Sequence, residues 1–295
     1  MNENKPLPPW ANLIPEDAFI SYTPTYKVGE YFDRFHKESF RPADFASLTY
    51  YFFDPTEHGY PKDKTYPLIT FLHGTSNALE GDVCINYAGA EFYSKDDYQK
   101  TLGGAYLLVP LANEYRGEDG IVKGGWSETP TKVLYELIDS FIKNKMSGHC
   151  AKNILIGNSS GAWMTFNMGN DYTSFFDVLI PVGACEIPDD KMLDLYDEEN
   201  VSLFYAIGKH DELNNFDTLV RPRLARLQAM KNCFIYTPEW VQNGDKGIAS
   251  IYVGIEMGQH CLVNPMHCNL MFDDRTPMEP RLPDGVTGWI SSLLK

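Results

Sequence analysis

The chain has 295 residues, with 40 acidic side chains against 25 basic ones and a formal net charge of −15. That balance argues against a surface built for nucleic acid or an anionic membrane, since both need clustered Lys and Arg. A hydrophobic fraction of 43% suffices for a full core, and the length suits one large α/β domain or two small ones.

The N-terminus, MNENKPLPPW, has neither a basic n-region nor an apolar h-region. No stretch approaches the ~18 apolar residues of a membrane helix. The expectation is a soluble, cytoplasmic chain, or a secreted one if a signal peptide has been removed, with no membrane or nucleic-acid partner. Six cysteines are present: Cys84, Cys150, Cys185, Cys233, Cys261 and Cys268. There is no C-x-x-C, and the pairs His149-Cys150, His260-Cys261 and His267-Cys268 fit no common zinc spacing. Free thiols, mostly buried, are expected, with no metal and no cofactor.

Residues 1–45 read as an irregular N-terminal extension packed on a main domain of residues 46–295. Pro6, Pro8 and Pro9 exclude a regular element at the start, and residues 22–40 are aromatic-rich. Residues 47–53 (SLTYYFF) and 66–72 (YPLITFL) have strand composition, and the second runs into His73-Gly74-Thr75. Residues 104–111 (GAYLLVPL) form a third strand. A glycine-rich loop, 113–129, follows and contains Trp126, a candidate wall for a ring-shaped substrate or a half-buried anchor of the loop. Residues 131–145 carry a helical stripe at Val133, Leu134, Leu137, Ile138 and Phe141.

Residues 153–166, NILIGNSSGAWMTF, hold the motif that organises the chain. An apolar strand meets Gly157-Asn158-Ser159-Ser160-Gly161, and a helical stretch leaves. G-x-S-x-G between a strand and a helix marks a sharp turn that needs two glycines for close backbone approach and pushes Ser159 outward. Beyond it, strands are expected at 176–182, 201–207, 233–240 and 250–256, a helix at 216–230 and a closing helix at 286–294. The segment 183–200 reads as a short acidic gap. Strands alternating with helices indicate a mainly parallel sheet with helices on both faces.

A serine hydroxyl needs a base to take its proton and a third group to hold that base. His260 follows the elbow and sits just past a late strand, with His210 and His267 as rivals. Asp211 follows the strand VSLFYAI, with Glu212 as its neighbouring alternative. The order Ser159…Asp211…His260 is that of one fold family. The N–H of Ser160, and a second N–H from Gly74 or Thr75, would form an oxyanion hole.

From YPLITFLHG, GNSSG, the GKHD strand end and EMGQHC, the chain resembles an α/β-hydrolase over about residues 47–295. Within that superfamily it is most similar to bacterial esterases of the feruloyl-esterase and polyhydroxybutyrate-depolymerase-like groups. It departs from cinnamoyl esterases in lacking a long insertion between 176–182 and 201–207. The resemblance implies a serine carboxylester hydrolase working through an acyl-enzyme, on hydroxycinnamoyl or acetyl esters of plant carbohydrate. The rival readings are a serine peptidase of prolyl-oligopeptidase type and a non-catalytic binding protein on the same fold.

Overall fold

The computed structural model describes residues 6–22 and 26–295. The parts of the expected N-terminal extension at residues 1–5 and 23–25 lie outside the described residues.

Eight strands form one sheet: β1 (His36–Phe40), β2 (Leu48–Phe53), β3 (Tyr66–Leu72), β4 (Tyr106–Pro110), β5 (Cys150–Asn158), β6 (Val178–Val182), β7 (Ser202–Ala206) and β8 (Cys233–Tyr236). Their spatial order is β1-β2-β4-β3-β5-β6-β7-β8. The strands β3 to β8 run parallel to one another, while β2 pairs antiparallel with both β1 and β4.

All seven residues of β3 are buried. This is the signature of a strand covered on both faces, and it accounts for the unbroken apolar run YPLITFL. Alternation along β3 sends Leu68 and Leu72 to one core and Ile69 and Phe71 to the other. The first core is closed by α2 (Thr131–Lys145), α3 (Ser160–Asp171) and α4 (Asp190–Glu198), through Leu134, Ile138, Met164, Leu193 and Tyr196. The second is closed by α1 (Asp96–Leu102) and α5 (Gly285–Leu293), through Tyr98, Leu102, Val286 and Ile290.

The chain passes from β3 to β4 on one side, then crosses back to β5 on the other. Leu72 lies opposite Gly157, so the carboxyl ends of β3 and β5 open side by side. In sheets of this kind the crevice forms where the strand order reverses.

Four expectations need correction. The stretch 1–45 is not wholly irregular, because His36–Phe40 is an edge strand of the main sheet and Ile20–Ser21 pairs parallel with Ile248–Ala249. The helix expected at 216–230 is broken into Phe216–Leu219, a 3-10 turn Arg221–Arg223 and Leu224–Gln228. Pro222 cannot continue an α-helical hydrogen-bond ladder. The segment 183–200 contains α4, and its N-cap Asp189 accepts from the Met192 N–H.

The fourth correction concerns residues 250–256, which are not a strand. They form a tight turn closed by a single bridge between Tyr252 and Glu256, with Gly254 at φ +96. The apolar side chains of Val253 and Ile255 that suggested a strand are exposed.

Among the described residues no helix is long and apolar enough to cross a membrane. All six cysteines are free thiols, but only Cys84 is fully buried and Cys185 is exposed.

Candidate active site

Ser159 sits between β5 and α3 with φ +55 and ψ −117, a conformation that costs an L-residue on the order of 1–3 kcal/mol. The two glycines of the motif make the turn sterically feasible. A Cβ on Gly157 would lie 2.1 Å from the Gly161 carbonyl oxygen, and one on Gly161 would lie 2.3 Å from the Leu72 carbonyl oxygen. The Ser159 N–H is held by the Val182 carbonyl at 2.9 Å. Its own carbonyl accepts from Ala162 and Trp163, which starts α3.

The Ser159 hydroxyl donates to His260 Nε2 at 2.9 Å, and His260 Nδ1–H donates to Asp211 Oδ2 at 2.8 Å. A carboxylate only accepts, so this geometry sets the tautomer, with the proton on Nδ1 and the lone pair of Nε2 facing the serine. Both the His260 and the Asp211 side chains are almost wholly buried. The second carboxylate oxygen, Oδ1, accepts from the Leu213 and Asn214 N–H groups at 2.9 and 2.8 Å, so the acid is fixed by its own loop.

The histidine loop is equally constrained. Gln259 is fully buried and bonds Val241 on both its N–H and its carbonyl, and also the Ala249 carbonyl. Glu256 accepts from Ser250 Oγ and from the N–H groups of Ile251 and Gly258, each at 2.9 Å. The neighbouring Glu212 does not take the place of Asp211. Its carboxylate accepts the main-chain N–H of His260 at 2.8 Å instead.

The other two histidines lie elsewhere. His210 stacks on Trp240 at 3.9 Å and meets Glu239 at 3.3 Å. His267 is buried beside Tyr26 and Phe92, and among the described residues neither ring nitrogen has a partner. Burial pushes its pKa down to about 3, so the ring is neutral.

Two main-chain N–H groups are open on the segments that meet at Ser159. The Ser160 N–H, the first of α3, and the Thr75 N–H, on the loop after β3, have no partner among the described residues. Gly74 is different, because its N–H already donates to Asn77 Oδ1 at 2.9 Å. A donor already engaged is a poor second oxyanion contact, so of the two candidates Thr75 has the open N–H. The loop lies against the serine, since a Cβ on Gly74 would be 3.4 Å from Ser159 Cβ.

The loop takes its shape from residues that sequence reasoning missed. His73 is fully buried. Its Nδ1–H donates to the Gly74 carbonyl at 2.7 Å, and Nε2 accepts the Ala112 N–H at 3.0 Å. Burial lowers its pKa to about 4, which keeps it in this donor-and-acceptor form. Glu114 accepts from the N–H groups of Ser76 and Ala78, each at 3.0 Å.

Trp126 is not a wall of the site. It is 1% exposed, packs on the His73 ring at 4.7 Å, and donates its indole N–H to the His73 carbonyl at 2.8 Å. An indole whose one polar atom is engaged and whose ring is covered has no face left for a ligand. The only signal for these contacts in the sequence was the proximity of His73 to the β3 end.

Among the described residues no group of three or more His, Cys, Asp or Glu is gathered as metal ligands would be.

No protein-family model matches the sequence, and no curated protein matches it significantly. Solved structures do match. A thermostable esterase superposes with a TM-score of 0.57 at 16% identity, over 80% of this chain and 60% of that one. A structure described as "FAE" superposes with a TM-score of 0.53 at 12% identity, over 85% of this chain and 93% of that one. The chain therefore spans less than two thirds of the thermostable esterase. At such identities the likeness concerns architecture, and together with the strand order it establishes that the chain has the α/β-hydrolase fold.

Proposed function

We propose that the protein is a serine carboxylester hydrolase that works through an acyl-enzyme. The observation that carries this reading is the unbroken chain Ser159–His260–Asp211, at 2.9 and 2.8 Å, beside two unengaged N–H groups at Ser160 and Thr75. The superposed thermostable esterase supports it.

In the proposed mechanism His260 Nε2 takes the Ser159 proton as Oγ attacks the ester carbonyl. The oxyanion is held by the N–H groups of Ser160 and Thr75, each worth on the order of 3 kcal/mol of barrier. Asp211 stabilises the imidazolium, which then protonates the leaving alcohol. Water, activated by the same histidine, releases the acid and restores the serine. On the resemblance of its motifs, the substrate is an ester of a small acyl group, hydroxycinnamoyl or acetyl, on plant carbohydrate.

The test is hydrolysis of p-nitrophenyl acetate, p-nitrophenyl butyrate and methyl ferulate by the wild type and by Ser159→Ala. Turnover lost in the variant supports the esterase, and turnover of methyl ferulate supports the hydroxycinnamoyl substrate. Activity surviving in Ser159→Ala overturns the mechanism. Hydrolysis confined to aminoacyl-p-nitroanilides replaces the esterase with a peptidase.

A further inference from the structure

The elements that carry the base and the acid are tied together from behind by a residue of the N-terminal segment. Trp10 is 5% exposed, and its indole N–H donates to Glu212 Oε1 at 2.8 Å. The same Glu212 oxygen accepts the Gln259 N–H at 3.1 Å, and its other oxygen accepts the His260 N–H at 2.8 Å. Glu212 is the residue after Asp211, so one carboxylate clasps the acid loop to the histidine loop. The Trp10 ring lies 5.5 Å from Trp240, and the other partner of Trp240 is His210, stacked at 3.9 Å next to Asp211. Trp10 therefore meets the clasp directly at Glu212 and backs the acid loop at His210 through Trp240.

We infer that Glu212 and Trp10 are positioning residues for the reaction. Glu212 sets the His260 main chain so that Nε2 stays within reach of Ser159, and the Trp10 indole N–H orients Glu212. This rests on the esterase reading above. The physical reason is directional. Three N–H donors from two distant segments converge on one carboxylate, and charge-assisted hydrogen bonds fix geometry more firmly than packing does. Burial raises the Glu212 pKa, and the donors lower it in opposition. Without the Trp10 N–H the carboxylate has one fewer reason to stay in that rotamer. His260, its ring suspended from the held main chain, is then free to drift. A displacement on the order of 1 Å in a catalytic group costs up to about a hundredfold in rate.

The experiment compares Trp10→Phe, Glu212→Gln and Glu212→Ala with the wild type on p-nitrophenyl acetate, and takes Leu13→Ala as a control. Leu13 is exposed on the same segment. Trp10→Phe keeps an aromatic ring against Trp240 and removes the donor together with part of the indole's packing. The expected result is a fall in kcat of about fivefold for Trp10→Phe and up to about a hundredfold for Glu212→Ala, with KM within twofold in each. Glu212→Gln falls between them, and Leu13→Ala matches the wild type.

A second readout does not depend on turnover. The proton of the His260–Asp211 hydrogen bond is observed by low-field NMR in the folded protein, and it should broaden in Trp10→Phe and Glu212→Ala. If folded Trp10→Phe and Glu212→Ala keep wild-type kcat and an unchanged resonance, the inference is overturned. If the wild type hydrolyses no ester, the esterase reading fails. The resonance then decides the positioning role alone: broadening in the variants supports it, and an unchanged signal overturns it.

Discussion

The indole N–H of Trp126 reaches the main-chain carbonyl of His73 at 2.8 Å, two residues before Thr75. The contact joins the loop after β4 to the end of β3. It gives Trp126 a part in shaping the loop that follows β3.

Trp126→Phe keeps an aromatic ring and removes the donor, which leaves the buried His73 carbonyl without that partner. The expected cost is about 1–3 kcal/mol of stability. The expected fall in kcat on p-nitrophenyl acetate is roughly tenfold, because the Thr75 donor is no longer held at a fixed height. Urea unfolding and steady-state kinetics measure the two effects separately. A stability loss with unchanged kcat would show that Trp126 supports the fold and not the reaction.

Glu114 acts on the same loop from the other side, through the Ser76 and Ala78 N–H groups. Burial raises its pKa, yet it accepts two main-chain N–H bonds, as an ionised carboxylate does. Glu114→Ala should lower kcat about tenfold with little change in KM, while Glu114→Gln, which retains one acceptor, should lower it less. Equal effects of the two substitutions would show that charge, and not the acceptor geometry, is what the loop needs.

Ser159 occupies a backbone conformation that favours glycine. Ser159→Gly and Ser159→Ala should both be inactive, but the glycine variant should be more stable than the alanine variant by about 1 kcal/mol. Thermal unfolding of the two inactive proteins checks this. The order would reverse if the elbow were unstrained.

His267 gives a stability prediction with a pH sign. Burial holds its pKa at about 3, against an ordinary value of 6.5. Between those values the unfolded chain binds a proton that the folded chain excludes. Stability is therefore undiminished above about pH 6.5 and declines as the pH falls toward 3, by up to about 1.4 kcal/mol per pH unit. His73, held near 4 by burial, contributes in the same direction. His267→Leu removes one of the two, and its urea midpoint should fall less steeply below pH 6 than that of the wild type. Because both ring nitrogens are unpaired among the described residues, the variant should also be no less stable at neutral pH. Parallel slopes for the two proteins would overturn the assignment.

The elbow and the sheet were legible because their signals are local. Close backbone approach demands glycine at 157 and 161, and a strand buried on both faces demands an unbroken apolar run. Chain order then selected Asp211 and His260, and the two are in hydrogen-bond contact. The supporting residues were not legible, because each contact joins segments far apart in sequence. His73 and Trp126 are 53 positions apart, and Glu114 and Ser76 are 38. No periodicity or propensity records such a pairing. The error at 250–256 had another cause. Val253 and Ile255 follow the alternation of a strand, but they stand on an exposed turn with no ladder to join.

The partners Trp10 and Glu212 are separated by 202 positions, and Ser159 and His260 by 101. During synthesis Trp10 emerges long before the carboxylate it meets, and the base emerges later still. Long-range contacts of this kind close last, after the strands that bring them near. The constellation is then the final thing the molecule acquires and the first it surrenders. In rising denaturant, ester turnover should vanish while the far-ultraviolet signal of the sheet persists, so the protein would be inactivated by a local opening well before it unfolds.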